Sequence, residues 1–113
     1  MTRNKVVLVP FPFDDLSASK VRAAVCLTNP VGPHSHVVLA FVTSRLSPTP
    51  LETDIVLDTS DADFGATGLR VPSMIQLHRL MTVSTSIIQR ELGELPPSIQ
   101  EVVAGKLRKL FSL

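Results

Sequence analysis

Residues 5–30 read KVVLVPFPFDDLSASKVRAAVCLTNP, and this stretch decides the fold. Val6, Val7, Leu8 and Val9 form a short apolar, mostly β-branched run, which suits a buried strand. Pro10-Phe11-Pro12-Phe13 follows, and because proline lacks an N–H and pushes its predecessor to extended geometry, the strand is expected to stop at Pro10. Asp14 to Lys20 is small and polar, as a loop should be. Val21 to Leu27 then alternates, so a second strand puts Val21, Ala23, Val25 and Leu27 on one face and Arg22, Ala24 and Cys26 on the other. The chain therefore offers two strands around a polar loop, with an arginine at the loop's exit.

Further along, Thr28 to Ser35 is dense in turn residues, and His36 to Ser44 reads as a core strand with little polar face. If it pairs antiparallel with the previous strand, Thr43 and Ser44 emerge at the rim beside Arg22. Arg45 to Leu51 reads as a loop, Thr53 to Leu57 as a short strand with Ile55 and Leu57 inward, and the acidic stretch Asp58 to Gly68 as another loop. Ser73 to Leu77 and Met81 to Val83 read as two further short strands, while Ile87 to Leu92 fits either a strand or a helical turn. From Pro97 the period becomes helical: Ile99, Val102, Val103, Leu107, Leu110 and Phe111 share a face, and Lys106, Arg108 and Lys109 sit where cations complement the helix dipole. Gly105 inside this helix suggests either close packing or simple tolerance.

Composition bounds the reading. At 113 residues, with 44% hydrophobic and 19% charged residues, the chain is expected to form one globular domain spanning residues 1–113. A net charge of +1 gives no global attraction to polyanions, so a nucleic-acid site has to be a local patch. One cysteine excludes an internal disulfide and fits a reducing compartment. No secretory signal pattern is visible and no apolar run approaches the roughly 20 residues that span a bilayer, so a cytoplasmic protein without membrane contact is expected.

These pieces, taken together, resemble the MazF/PemK-like toxins, the endoribonucleases of type II toxin–antitoxin pairs. The resemblance runs through VVLVPFPFDDLSASKVRAAVCL, Phe41-Val42-Thr43-Ser44, Gly68-Leu69 with Ser73-Met74-Ile75, Met81-Thr82-Val83, and Leu92-Gly93-Glu94-Leu95 before the C-terminal helix. It departs where the family carries a proline after the loop arginine, which is Ala23 here, and a Gly-Asp pair before the first strand, which is Asn4-Lys5 here. The fold it implies is mostly β: a small SH3-like antiparallel barrel of the MazF/PemK/CcdB type, closed by a C-terminal helix.

The activity implied is sequence-specific, metal-independent cleavage of single-stranded RNA, with neutralisation by a cognate antitoxin, a homodimer, and no cofactor. The resemblance assigns catalysis to Arg22 and Thr43. Arginine suits that role, since its planar fork binds two phosphate oxygens and stays protonated, and a threonine hydroxyl can add a further bond. Ser17, Ser19, Lys20 and Ser44 would touch phosphate or sugar. Gln76 and His78, where some relatives carry a basic and an acidic residue, complete the substrate-contacting set; by itself His78 reads first as a surface loop imidazole, with an acid or base near the phosphate as the alternative. His34-Ser35-His36 supplies only two of the three or four ligands that zinc needs, so no metal site is expected. Of the loop aromatics Phe11, Phe13 and Phe64, Phe13 is the one that could stack on a base. Two other readings stay open: an inactive barrel that binds RNA or a protein, and a related toxin that poisons a protein target.

Overall fold

The computed structural model describes residues 2–11 and 20–113. Six strands, β1 (Lys5–Phe11), β2 (Lys20–Cys26), β3 (His36–Thr43), β4 (Asp54–Leu57), β5 (Ser73–Ser84) and β6 (Arg90–Glu94), precede one helix, α1 (Pro97–Leu110). They form one antiparallel sheet in the order β4-β5-β3-β2-β1-β6, curled into a half-barrel with β4 and β6 at its edges.

Both faces of this sheet carry apolar side chains. On one, Val6, Val25, Ala40, Val42, Ile55, Ile75 and Leu77 pack with Val103 of α1, and Ile99 and Leu107 close the edge of that core. On the other, Val7, Val9, Ala24, Cys26, Val37, Leu39 and Phe41 form a second cluster, partly covered by Met81, Val83, Ile87 and Ile88. The alternation in β2 is therefore as expected, but the face bearing Arg22 is not polar: Ala24 and Cys26 on it are fully buried, and Arg22 stands at its rim. Burial pushes the Cys26 thiol up to about 11, with the Glu91 charge adding to the effect, so it behaves as a small apolar side chain.

Pro10 does not end the first strand, which runs on to Phe11. The Leu27 N–H donates to the Val38 carbonyl of β3, so in β2 the odd-numbered N–H groups face β3 and the even-numbered ones face β1. With Val9 opposite Arg22, the position of Pro10 then faces away from β2, beyond Leu8, where the pairing of β1 with β6 ends. Proline costs no ladder bond there. The two short strands expected around residues 73–83 are one twelve-residue strand. Its pairing with β3 jumps from Ala40–Leu80 to Phe41–Gln76, so Leu77, His78 and Arg79 sit in an irregularity that breaks the period-2 pattern and made one strand read as two. The ambiguous region after Ser84 divides into a 3₁₀ turn, Thr85–Ile87, and β6. The acidic loop contains another 3₁₀ turn, Phe64–Thr67, and half-buried Phe64 packs on the first core.

Helix α1 begins at Pro97 as expected, and the Lys106 ammonium donates to the carbonyls of Glu52 and Asp54, tying the helix to the start of β4. Val102 and Phe111 point outward rather than joining the buried face, at 40% and 56% exposed. A side chain at Gly105 would meet open space, so that glycine is tolerated and not required by packing.

The departure at Asn4-Lys5 has a local physical account. Asn4 adopts a left-handed backbone (φ 71°), its N–H donates to the Cys26 carbonyl at 2.7 Å, and its own carbonyl accepts from Leu95 N–H at 2.9 Å. Asparagine is among the few side chains that enter this region routinely. Asn4→Val should lower stability by about 1–2 kcal/mol, while Asn4→Gly should be near neutral; denaturant unfolding of the two variants checks this.

Candidate active site

The β2–β3 register pairs Ala24 with Phe41 and Val25 with Ala40. Carried two residues further, the same register sets Arg22 opposite Thr43, on the face of the second apolar cluster. On its other side Arg22 lies opposite fully buried Val9. An exposed guanidinium is thus presented from an apolar floor, where its stem can cover Val9 while its charged head reaches solvent. Thr43 is half-buried at the end of β3, and its Oγ1 accepts the Arg45 backbone N–H at 3.1 Å. That bond fixes the oxygen and leaves the hydroxyl proton to be donated outward.

Phe41, next along β3 on this face, is 8% exposed and pairs with half-buried Gln76 of β5. The Arg79 guanidinium carbon lies 4.9 Å from the Phe41 ring centroid, a cation–π distance, and Arg79 Nη1 comes within 3.5 Å of Gln76 Oε1. Exposed His78 precedes Arg79 and directs Nδ1 toward Asp54 Oδ1, 3.8 Å away. Arg22, Thr43, Gln76, Arg79 and His78 therefore border one patch of sheet around Phe41. The patch carries two arginines and can bind anions locally, although the whole chain has a net charge of only +1.

Of the residues marked in the sequence, Ser17 and Ser19 lie outside the described residues, as do Phe13 and the Lys20 side chain. Ser44 is exposed immediately after β3, beside Thr43. Arg79 and Phe41 were not singled out in the sequence; Phe41 reads as core and Arg79 as an interstrand residue, and only the irregularity in β5 brings them into contact. Among the described residues no group of three or more His, Cys, Asp or Glu side chains converges, and the His34 and His36 rings lie 5.8 Å apart. No helix among the described residues is long and apolar enough to cross a membrane.

No curated protein sequence matches the chain. Solved structures that share its fold include an endoribonuclease in complex with its cognate antitoxin from a mycobacterial species, 15% identical, TM-score 0.75, covering 100% of this chain and 96% of that one. The toxin MazF-mt6 of Mycobacterium tuberculosis is 22% identical, with a TM-score of 0.73 over 96% and 97% of the two chains. MazE–MazF from Deinococcus radiodurans gives 20% identity and a TM-score of 0.72 over 100% and 97%. A family model described as PemK-like, MazF-like toxin of type II toxin–antitoxin system matches residues 2–111. With that match covering nearly the whole chain and the fold agreeing along its length, the chain belongs to the PemK-like, MazF-like toxins of type II toxin–antitoxin systems.

Proposed function

We propose that this protein is an endoribonuclease toxin that cuts single-stranded RNA at defined sequences without a metal ion, and that a cognate antitoxin neutralises it. The observation that carries the reading is the β2–β3 register, whose last pair is Ala24–Phe41 and which, continued two residues further, sets Arg22 opposite Thr43 at the rim of an apolar face. RNA supplies its own nucleophile, the 2′-hydroxyl, so the protein's tasks are to hold the phosphate, stabilise the extra charge of its five-coordinate state, and move protons. Arg22 grips two phosphate oxygens with its fork; the Thr43 hydroxyl, oriented by the Arg45 N–H, donates to one of them. Arg79 over the Phe41 ring extends the anion-binding track, with Gln76, His78 and Ser44 as neighbouring contacts; Ser17, Ser19 and Lys20 are the further contacts that the resemblance implies. The mycobacterial and Deinococcus relatives bound to their antitoxins support the partner assignment. A homodimer would cover apolar residues exposed on and around β4, including Leu51, Val56 and Val71.

Incubation of the purified protein with a long single-stranded RNA in excess EDTA tests the reading. Discrete fragments ending in a 2′,3′-cyclic phosphate and a 5′-hydroxyl are expected, with an all-DNA strand of the same sequence left intact. Fragments bearing 5′-phosphates, or cutting that requires added magnesium, would overturn the mechanism. RNA retention without cutting would favour a binding module on the same barrel.

A further inference from the structure

Asp54 is the one polar side chain among the described residues with a buried oxygen that meets no hydrogen-bond donor. Its side chain is 3% exposed; Oδ2 accepts the Leu51 N–H at 2.8 Å, and Oδ1 is left without a bond. Closing the turn before β4 explains Oδ2 only. An asparagine or serine would close it equally well without burying half a carboxylate, and an unsatisfied buried oxygen is costly enough to need a reason. Oδ1 faces His78 Nδ1 at 3.8 Å, beyond hydrogen-bond length but within reach of a small rotation of an imidazole that stands in the β5 irregularity and is 37% exposed. Asp54 itself is fixed: Lys106 of α1 holds its carbonyl at 3.2 Å, and its N–H donates to the Leu51 carbonyl at 3.0 Å. A rigid buried carboxylate thus stands behind a movable exposed imidazole.

We infer that Asp54 and His78 form a proton-transfer pair in which Asp54 is a positioning residue and His78 the general base for RNA cleavage. The carboxylate selects the tautomer with hydrogen on Nδ1, presents a bare Nε2 to the substrate, and stabilises the imidazolium once formed, as in other carboxylate–histidine pairs. In the step itself the 2′-hydroxyl proton passes to His78 Nε2 and the 2′-oxygen electron pair forms the P–O2′ bond. The P–O5′ bond breaks with its electrons going to the 5′-oxygen, which takes a proton from water, and the imidazolium later returns its proton to solvent. Placement permits this. Thr43 and Phe41 are two residues apart on one face of β3, roughly 7 Å, and the Phe41 ring carries Arg79, the neighbour of His78. The ladder pairs Phe41 with Gln76 and Gln76 with Asp54, so a phosphodiester lying across Phe41 and Gln76 would run from Thr43 and Arg22 toward His78 beside Asp54.

The inference rests on the ribonuclease reading, and the experiment separates the two. Nitrogen NMR of the free protein, at a pH about two units above an ordinary imidazole pKa, should show His78 as the Nδ1–H tautomer. Asp54→Asn, which turns an amide N–H toward Nδ1, should convert it to Nε2–H. In single-turnover cleavage of one RNA at saturating protein, His78→Gln and Asp54→Asn should each slow cutting on the order of 10²-fold or more. The double variant should be no slower than His78→Gln alone. A His78 tautomer indifferent to Asp54→Asn overturns the pairing. Wild-type cutting by His78→Gln, a surface change that leaves the fold unstrained, overturns the base; multiplied losses in the double variant overturn the claim that Asp54 acts through His78. If wild-type protein cuts no RNA at all, the ribonuclease reading fails, and the NMR result alone decides whether the pair exists.

Discussion

Arg22→Ala should lower single-turnover cleavage by about 10²–10³-fold, as removal of a preorganised donor at a charge-developing oxygen does, while the protein stays folded. The exposed position argues for a small stability cost, but the buried Val9 opposite it complicates alanine as a probe, because the arginine stem helps cover that valine. Arg22→Met keeps the stem and removes the charge, so it should match alanine in lost activity and wild type in melting temperature. Arg22→Lys keeps a charge without the fork and should fall between. Thr43→Val, on the strand position facing Arg22, should show less than additive loss when combined with Arg22→Ala, since both groups hold one phosphate. Wild-type cutting by a folded Arg22→Met variant would make Arg22 a bystander and leave the binding-module reading as the better account.

How much of this site the sequence reveals depends on which residues each element needs. Arg22 and Thr43 are marked in the sequence only through the family resemblance; what strand patterning adds is that antiparallel pairing brings the start of the second strand and the end of the third to one rim. Arg79 on Phe41 is not legible. The contact depends on residues 77–79 of β5 lying outside the regular ladder, and the broken alternation there shows that the strand is interrupted but not which side chains the interruption brings together. Asp54 is hidden for a different reason. It falls inside the strand expected over Thr53 to Leu57 and is the first residue of β4, where its Oδ2 closes the preceding turn; only three-dimensional burial shows that Oδ1 has no such role.

The fold was similarly legible where periodicity is strong and obscured where one backbone detail overrides a local rule. Pro10 is the clearest case: the rule that proline stops a strand assumes a lost ladder bond, and at Pro10 the missing N–H points past the end of β6. Both faces of the sheet being apolar is a second. Alternation in β2 divides its residues between two faces but does not show that the Arg22 side is also buried; alanine and cysteine there are small enough to lie with Phe41 and Leu39 in a second core.

Gly68→Ala should be among the most damaging single substitutions in the protein, although Gly68 lies on the surface and touches no part of the proposed site. Gly68 ends the 3₁₀ turn Phe64–Thr67 with a φ of 73°, and its N–H donates to the Gly65 carbonyl. A Cβ there would run into the backbone carbonyl of Leu92 in β6, and a Cβ at Gly93 would run into the carbonyl of Ala66 and the backbone of Thr67. The two glycine landmarks, far apart in the chain, are thus two sides of one backbone-to-backbone approach between the turn and the edge strand. It is anchored by fully buried Thr67, whose hydroxyl donates to the Phe64 carbonyl at 2.7 Å and accepts from Leu69 N–H at 3.2 Å. Neither neighbour can yield cheaply, because each offending atom is main chain. Left-handed strain of about 1–2 kcal/mol and overpacking of about 1–3 kcal/mol give a loss of roughly 2–5 kcal/mol, which corresponds to a Tm drop on the order of 10–20 °C. Gly93→Ala should lose about the overpacking part alone. Thermal unfolding of Gly68→Ala, Gly93→Ala and the pair checks the geometry directly. Because both clashes close the same gap, the double variant should lose less than the sum of the two, whereas strict additivity would mean that the turn and β6 do not meet as described.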